Sequence, residues 1–549
     1  MLYTETQIWR VISSMLSYSR GPDAALIDTS IWEVFDKTAS RFPNREALVA
    51  RHQGIRLTYS ELAAGVERVA RGLASLGIGT QDRVGVWSTN CAEWVQIHLA
   101  CARMGAVLVN VNPAYRRYDL AFVLRKSRMK ALFLWEQDKR SNYRAIVEEA
   151  MAGQTLALEH VIFFGTEGWD RMLALGEDTP ARRISCDEVT NIQYTSGTTG
   201  SPKGVLLTHR NLLNNAAAIV KEIRMSETDR IAVPVPLYHC FGCVIGTLVA
   251  VVTGAAMILP AATFDALSTL QAIHEERATA IYGVPTMFIA ELEHPDFRSF
   301  DFSSLRTGIM AGAPCPVEIM KRVVSEMHCE GMVVGYGQTE SSPLITMSAV
   351  DDDLERRVST VGRACTNTEV KIVAASGETA PVGEQGELCT RGYLVMKGYD
   401  EELEATRRAI DEDGWLHTGD LATMERDEYF RITGRAKDMI IRAGENVYPR
   451  EIEEFLHTHP KVAEVQVVGL PDERLGEVVA AWIRLKEAAS EEEIREYCRG
   501  KIAHFKVPQY IRFVDSFPMT VTGKVQKFRI REKEIQERGL EEASRIRTA

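Results

Sequence analysis

The sequence predicts an α/β fold. A large N-terminal domain of wound α/β sheets with a small β-barrel-like part precedes a small mobile α+β C-terminal domain. Three observations lead there. From about residue 31 to residue 310, short apolar runs alternate with stretches of helical period, the pattern of parallel strands covered by helices. Near residue 360 the pattern changes to short strand-like runs separated by turn residues. The chain is also 549 residues long, more than one hydrophobic core ordinarily serves.

Each element follows from local pattern. Residues 31–42 read as an amphipathic helix, and residues 47–49 and 55–57 as a short hairpin. Residues 60–76 carry Leu62, Val66, Val69 and Leu73 at helical spacing. A strand at 84–87, a helix at 91–104 and a strand at 106–111 continue the alternation. Residues 191–194 read as a strand and 205–220 as a helix. Residues 241–260 contain no charged side chain, a run long enough to cross a bilayer. Gly242, Gly246 and Gly254 interrupt it, however, so a buried helix followed by a strand is expected and no integral membrane segment. Beyond 360, residues 370–372, 386–388 and 429–432 read as antiparallel strands, with turns at Ser376-Gly377 and Asp427-Glu428. Gly434 to Asp438 is a charged connector, which places the expected division at 1–435 and 436–549. After it come a strand (439–441), a helix (450–457), strands (462–468 and 477–485), a helix (491–502) and a last strand (510–514).

Composition narrows the function classes. With 45% hydrophobic and 25% charged residues the chain is globular. Its net charge of −11 argues against nucleic acid as a partner. Ten cysteines form no disulfide framework. Cys240 and Cys243 make a close pair with no second pair at zinc spacing. Reduced thiols and the lack of a signal-peptide pattern at the N-terminus imply a cytoplasmic protein.

The most informative segment is Tyr194-Thr195-Ser196-Gly197-Thr198-Thr199-Gly200-Ser201-Pro202-Lys203-Gly204. Small hydroxyl residues and glycines can set backbone N–H groups against a phosphate chain, and Lys203 adds a cation. It is not a P-loop, which requires Gly-Lys-Ser/Thr at its end. In wording, the segment resembles the phosphate loop of the adenylate-forming superfamily. The companion motifs follow in that family's order: Gly335-Tyr336-Gly337-Gln338-Thr339-Glu340, Gly414-Trp415-Leu416-His417-Thr418-Gly419-Asp420, Gly434-Arg435-Ala436-Lys437-Asp438 and Thr522-Gly523-Lys524. Five ordered motifs identify the chain as resembling the acyl-CoA synthetase branch, most like the medium-chain fatty acyl-CoA synthetases.

The resemblance implies an acid–thiol ligase using ATP, Mg2+ and coenzyme A. A carboxylate and ATP repel each other, so cations and in-line placement are needed. Thr195, Ser196, Gly197, Thr198, Thr199, Gly200 and Lys203 would grip the phosphates. Lys524 would promote adenylation, Thr339 would bond the α-phosphate and Glu340 would ligate Mg2+, while also suiting the first turn of a helix. Gly312, Ala313 and Pro314 resemble the adenine shelf. Tyr336 would stack on the purine, with Gly335 and Gly337 keeping the neighbouring space open. Asp420 and Arg435 would hold the ribose. Lys437 matches the hinge, and Gly444, Glu445 and Asn446 the coenzyme A channel. His239 matches a residue where acyl and coenzyme A tunnels meet; a steric gate is preferred to a general base. Val244, Tyr282 and Gly283 would line the acyl pocket, with Gly246 and Gly283 leaving room. No lysine or arginine stands among those positions to hold a second charge, so a medium-chain fatty acid is expected. An aryl or alicyclic acid is the alternative, because Tyr282 and Phe288 could close the tunnel. A carrier-loading adenylation domain and a non-catalytic nucleotide binder are the rival functions; no carrier-like segment follows. The expected partners are the acid and coenzyme A, with a homodimer admitted as the assembly.

Overall fold

The computed structural model describes residues 16–138, 141–176, 182–195, 202–313, 315–435, 438–442, 445–472, 474–499, 501–520 and 524–540. The chain packs as two compact units. The larger comprises Ser19–Val370 and Thr390–His417; the smaller comprises Lys371–Cys389, Thr418–Ala549 and the segment up to Tyr18.

The larger unit contains two wound sheets. The first has nine strands, in the order Arg363–Ala364, Leu344–Met347, Gly331–Gly337, Thr307–Ala311, Ala280–Gly283, Arg230–Ala232, Ala256–Leu259, Glu46–Ala50 and Ile55–Thr58. Its central strands are parallel, and antiparallel strands finish both edges. The second has seven, in the order Gly398–Tyr399, Lys203–Thr208, Val189–Thr195, Val107–Val111, Arg83–Trp87, Ala131–Leu134 and His160–Phe163. Ala256–Leu259 and Ala131–Leu134 are apolar at every position and buried at every position, as parallel strands covered on both faces must be. One core joins Leu48, Ile231 and Ile309 of the first sheet, Val84 and Leu108 of the second, and Trp94, Ile97, Leu212 and Leu213 of the helices.

Helix starts are written locally. Ser30 accepts from the backbone of Glu33 while Glu33 reaches back to Ser30, and Thr58 and Glu61 repeat that reciprocal cap. Residues 241–260 fold as a buried helix and a buried strand, as the interrupting glycines suggest. The helix is π-wound over Phe241–Leu248 and α-helical over Val249–Thr253, and Gly254 ends it at φ +85°. Gly242 is obligatory: a Cβ there would lie 2.2 Å from the Pro236 carbonyl oxygen.

One expectation is overturned. The chain leaves the phosphate loop as a strand, Lys203–Thr208, antiparallel to Val189–Thr195, and the helix begins only at His209. Val205 and Leu207 point into the core while Leu206 lies on the other face. That short two-residue period is masked in sequence by the apolar helix behind it. Thr208, capping the helix with Asn211, marks the true start.

In the smaller unit, Phe430–Arg435 pairs antiparallel with Leu416–Met424. A second sheet joins Glu445–Val447, Ile440–Arg442, Gly476–Leu485 and Val462–Asp472, with Tyr510–Phe513 parallel to Gly476–Leu485. Val479, Ala481 and Ile483 enter one apolar cluster; Val478, Ala480 and Trp482 enter another on the opposite face. The helix expected to reach residue 502 ends at Cys498. The helix Lys527–Arg538 was not foreseen. It is almost wholly polar, and a buried carboxylate fixes it: Glu534, 1% exposed, accepts from Trp482 Nε1 at 2.7 Å and pairs with Arg512 at 2.6 Å.

Candidate active site

In the larger unit Thr195, Gly283, Gly312 and Gly335 to Gly337 lie at the carboxyl ends of strands that run parallel to a neighbour, where wound sheets bind ligands. Thr307–Ala311 runs out into Gly312, at φ +87°, and Ala313. Its neighbour Gly331–Gly337 is in register with it, Ala311 beside Gly335, so Gly335, Tyr336 and Gly337 lie at the next strand end. Ala280–Gly283 is the neighbour on the other side, with Gly283 beside Met310. The two motif glycines do not keep space open, contrary to the sequence-based expectation. A Cβ on Gly337 would fall 1.9 Å from the Pro343 carbonyl oxygen, and one on Gly335 would fall 3.0 Å from Leu344. They are glycines because the returning chain crosses closely there. Pro314 lies outside the described residues.

Thr195 and Lys203 end the two strands that flank the phosphate loop and are cross-strand partners. Ser196, Gly197, Thr198, Thr199 and Gly200 lie outside the described residues. The Lys203 ammonium sits over the ring of Tyr399, 4.9 Å from its centroid. The Tyr399 hydroxyl donates to Glu340 Oε1 at 2.9 Å. Burial, with the neighbouring Glu340 carboxylate, pushes the Tyr399 phenol far up, so it remains a donor at any physiological pH. One aromatic side chain thus meets the loop's cation with its face and the motif's anion with its hydroxyl. Thr339 and Glu340 occupy a single 3-10 turn, Thr339–Ser341, anchored by Met396 N–H donating to the Glu340 carbonyl at 2.9 Å. Glu340 therefore stands in a first turn, and its carboxylate is of the oxygen-donor type that a hard cation prefers.

Tyr399 escaped notice in the sequence. Gly398-Tyr399 belongs to no phosphate motif, and only its strand pairing with Val205 and Leu206 brings it to Lys203.

The residues expected on the acyl side are tied to one another and to the core. His239 accepts from the Phe241 N–H through Nδ1 at 3.3 Å, and its carbonyl accepts from Gly242 and Cys243 N–H groups. Phe241 stacks on Tyr282 with centroids 6.3 Å apart. Val244 and Tyr282 are fully buried in the main core. Gly246 and Gly283 do not leave room, as expected of them, because neighbours fill it. A Cβ at Gly246 would meet Val233 at 2.9 Å, and one at Gly283 the Phe288 ring at 2.8 Å.

In the smaller unit, Asp420 and Arg435 face each other across an antiparallel ladder, and Arg435 Nε donates to Asp420 Oδ1 at 3.0 Å. The Asp420 side chain is 8% exposed and that of Arg435 60% exposed. Two hydrogen bonds join Lys524 to Thr520: the Lys524 N–H donates to Thr520 Oγ1 at 3.1 Å, and the Lys524 carbonyl accepts from Thr520 N–H at 2.7 Å. Lys437 and Gly444 lie outside the described residues, as do the side chains of Glu445 and Asn446; the backbone of the latter two forms the strand Glu445–Val447.

Residues 35–400 match the AMP-binding enzyme family, and residues 451–524 match the AMP-binding enzyme C-terminal domain. The chain is 44% identical to "Medium-chain acyl-CoA ligase ACSF2, mitochondrial" of Rattus norvegicus, over 94% of this chain and 90% of that protein. Among solved structures, ATP-bound MatB from Rhodopseudomonas palustris superposes with a TM-score of 0.82 at 28% identity, covering 91% of this chain and 98% of that one. The anthranilate CoA ligase AuaEII in complex with anthranoyl-AMP gives 0.84 at 26%, covering 93% and 98%. The chain therefore belongs to the AMP-binding enzyme family of the adenylate-forming superfamily, and it is an AMP-forming acid–CoA ligase that uses ATP, Mg2+ and coenzyme A.

Proposed function

We propose that the acid is a medium-chain fatty acid. One observation carries this reading: Phe241, Val244 and Tyr282 are buried and none carries a charge, so an alkyl chain against them needs no charged partner. The name of the rat relative agrees with it. In the first step a carboxylate oxygen attacks the α-phosphorus and pyrophosphate leaves with the bonding pair. In the second the coenzyme A thiolate attacks the acyl carbonyl and AMP leaves.

The residues take these roles. Thr195, Lys203 and the loop between them hold the phosphates. Thr339 bonds the α-phosphate, and Glu340, with its oxygen donors on a rigid turn, suits Mg2+, which neutralises phosphate charge when bound. Gly312, Ala313, Pro314 and Tyr336 take the adenine. Asp420 and Arg435 take the ribose hydroxyls, Lys524 promotes adenylation and His239 gates the acyl passage. Lys437 is the hinge between residues 1–435 and 436–549, and Gly444, Glu445 and Asn446 serve the coenzyme A step.

A cytoplasmic location is supported by ten free cysteines. Among the described residues no helix is long and apolar enough to cross a membrane. The homodimer rests on the family resemblance alone, and light scattering of the full chain tests it.

A second reading has its own observation. The Phe288 ring occupies the space beside Gly283, which would shorten the pocket and suit an aryl acid. A panel of saturated acids of rising length, with benzoate and cyclohexanecarboxylate, assayed for AMP release decides between them. A maximum among chains of about six to twelve carbons supports the first reading; preference for a ring acid supports the second.

A further inference from the structure

Three buried amides interrupt the apolar parallel strands of the seven-stranded sheet. Asn110, Asn191 and Gln193 are 3%, 0% and 3% exposed. Interior strands of this kind are normally apolar, and a buried amide is tolerated only when its hydrogen bonds are met. Here they are met by one another. Gln193 Nε2 donates to Asn191 Oδ1 at 2.8 Å, and Asn191 Nδ2 donates to Asn110 Oδ1 at 2.9 Å and to the Leu108 carbonyl at 3.2 Å.

The chain of amides ends on the segment expected on the acyl side. Asn110 Nδ2 donates to the Tyr238 carbonyl at 3.0 Å, and Gln193 Nε2 also donates to Cys243 Sγ at 3.3 Å. Tyr238 and Cys243 bracket His239 and Phe241 at the mouth of the π-helix. At the other end, Gln193 stands two residues before Thr195 on the strand entering the phosphate loop. The network therefore ties the segment that meets the acid to the strand that meets ATP. Nothing apolar of similar size could fix the Tyr238 carbonyl in this way.

We infer that Asn110, with Asn191 and Gln193, is a positioning residue for acid selection: the amide relay holds the turn from Tyr238 to Cys243 and so sets the depth and entry angle of the acyl site. The inference rests on the acid-activating reading of that site.

Its test uses the full chain with Asn110→Leu and, separately, Gln193→Met, each close in size to the residue replaced. KM is measured for ATP and for saturated acids of six to fourteen carbons. Acid binding without ATP is measured by calorimetry, so a folding loss in one variant leaves the other informative. The expected result is an acid KM raised about tenfold, an ATP KM changed less than about twofold, and a flattened length preference. Acid binding weakens in parallel. Equal changes in both KM values, or an unaltered length profile in a variant that folds, would overturn the inference. AMP release by the unmodified chain tests the underlying reading on its own, because it does not depend on either substitution.

Discussion

Lys203 and Glu340 on the one hand, and Asp420 and Arg435 on the other, are two pairs of opposite charge built on different sheets. Asp420 and Arg435 are direct cross-strand neighbours on an antiparallel ladder and bond to each other. Lys203 and Glu340 come from distant points of the chain, and each bonds a different part of Tyr399. An antiparallel ladder brings partners together by register alone. Lys203 is in one sheet and Glu340 on a turn that follows another, so no register joins them; the antiparallel pairing of Gly398–Tyr399 with Lys203–Thr208 brings in a third residue that touches both. The Asp420–Arg435 pair can thus be guessed from two motifs, whereas the Lys203–Tyr399–Glu340 arrangement has to be seen.

Substitutions break or sharpen that contrast. Lys524→Ala should have the largest effect, cutting pyrophosphate release with acid and ATP by about 10²–10³-fold while reaction of coenzyme A with supplied acyl-adenylate changes little. Equal loss in both half-reactions would place Lys524 outside the adenylation step. Glu340→Gln should raise the Mg2+ needed for half-maximal activity by about 10–100-fold. Tyr399→Phe keeps the ring under Lys203 and removes only the hydroxyl; a rise of about tenfold in the same Mg2+ requirement is expected. If Tyr399→Phe matches the unmodified chain, the ring alone organises the larger-unit pair. Asp420→Asn should raise KM for ATP about tenfold, since one charge-assisted bond is weakened, with a smaller change in kcat.

The smallest effect concerns stability. His98 and His209 are buried in the larger unit, and burial lowers their pKa to about 4 and about 3 from 6.5. The unfolded chain therefore binds protons that the folded chain refuses as pH falls below 6.5, and stability declines from there toward pH 4. Each histidine contributes a slope of up to about 1.4 kcal/mol per pH unit. His98→Leu removes a ring whose Nδ1 has no partner among the described residues. It should leave stability at pH 7 unchanged or higher and make the acid decline shallower in denaturant titrations.

Much of this was legible in sequence. The wound α/β order, the hairpin at 46–58 and the buried helix and strand within 241–260 follow from period and from glycine placement. In the larger unit Thr195, Lys203, Gly312 and Gly335 to Gly337 stand at or just beyond strand ends. What was not legible has common physical causes. The strand Lys203–Thr208 is too short for its period to stand out against the helix behind it. Gly246, Gly283, Gly335 and Gly337 read as open space, yet a missing side chain serves equally well to let a neighbour approach, and sequence does not say which. The helix Lys527–Arg538 has no clear apolar stripe, because its docking depends on the buried Glu534. Tyr399 and Asn110 act through partners some two hundred and one hundred and thirty residues away, which no local window contains.

The placement of Tyr399 bears on how the enzyme waits. Opposite charges left to themselves would close on each other, and every incoming nucleotide would have to prise them apart before either could be used. With one charge resting on a phenol face and the other on its hydroxyl, that separation is made once, when the chain folds. A triphosphate then meets a cation and an anion that each already rest on a different part of one ring.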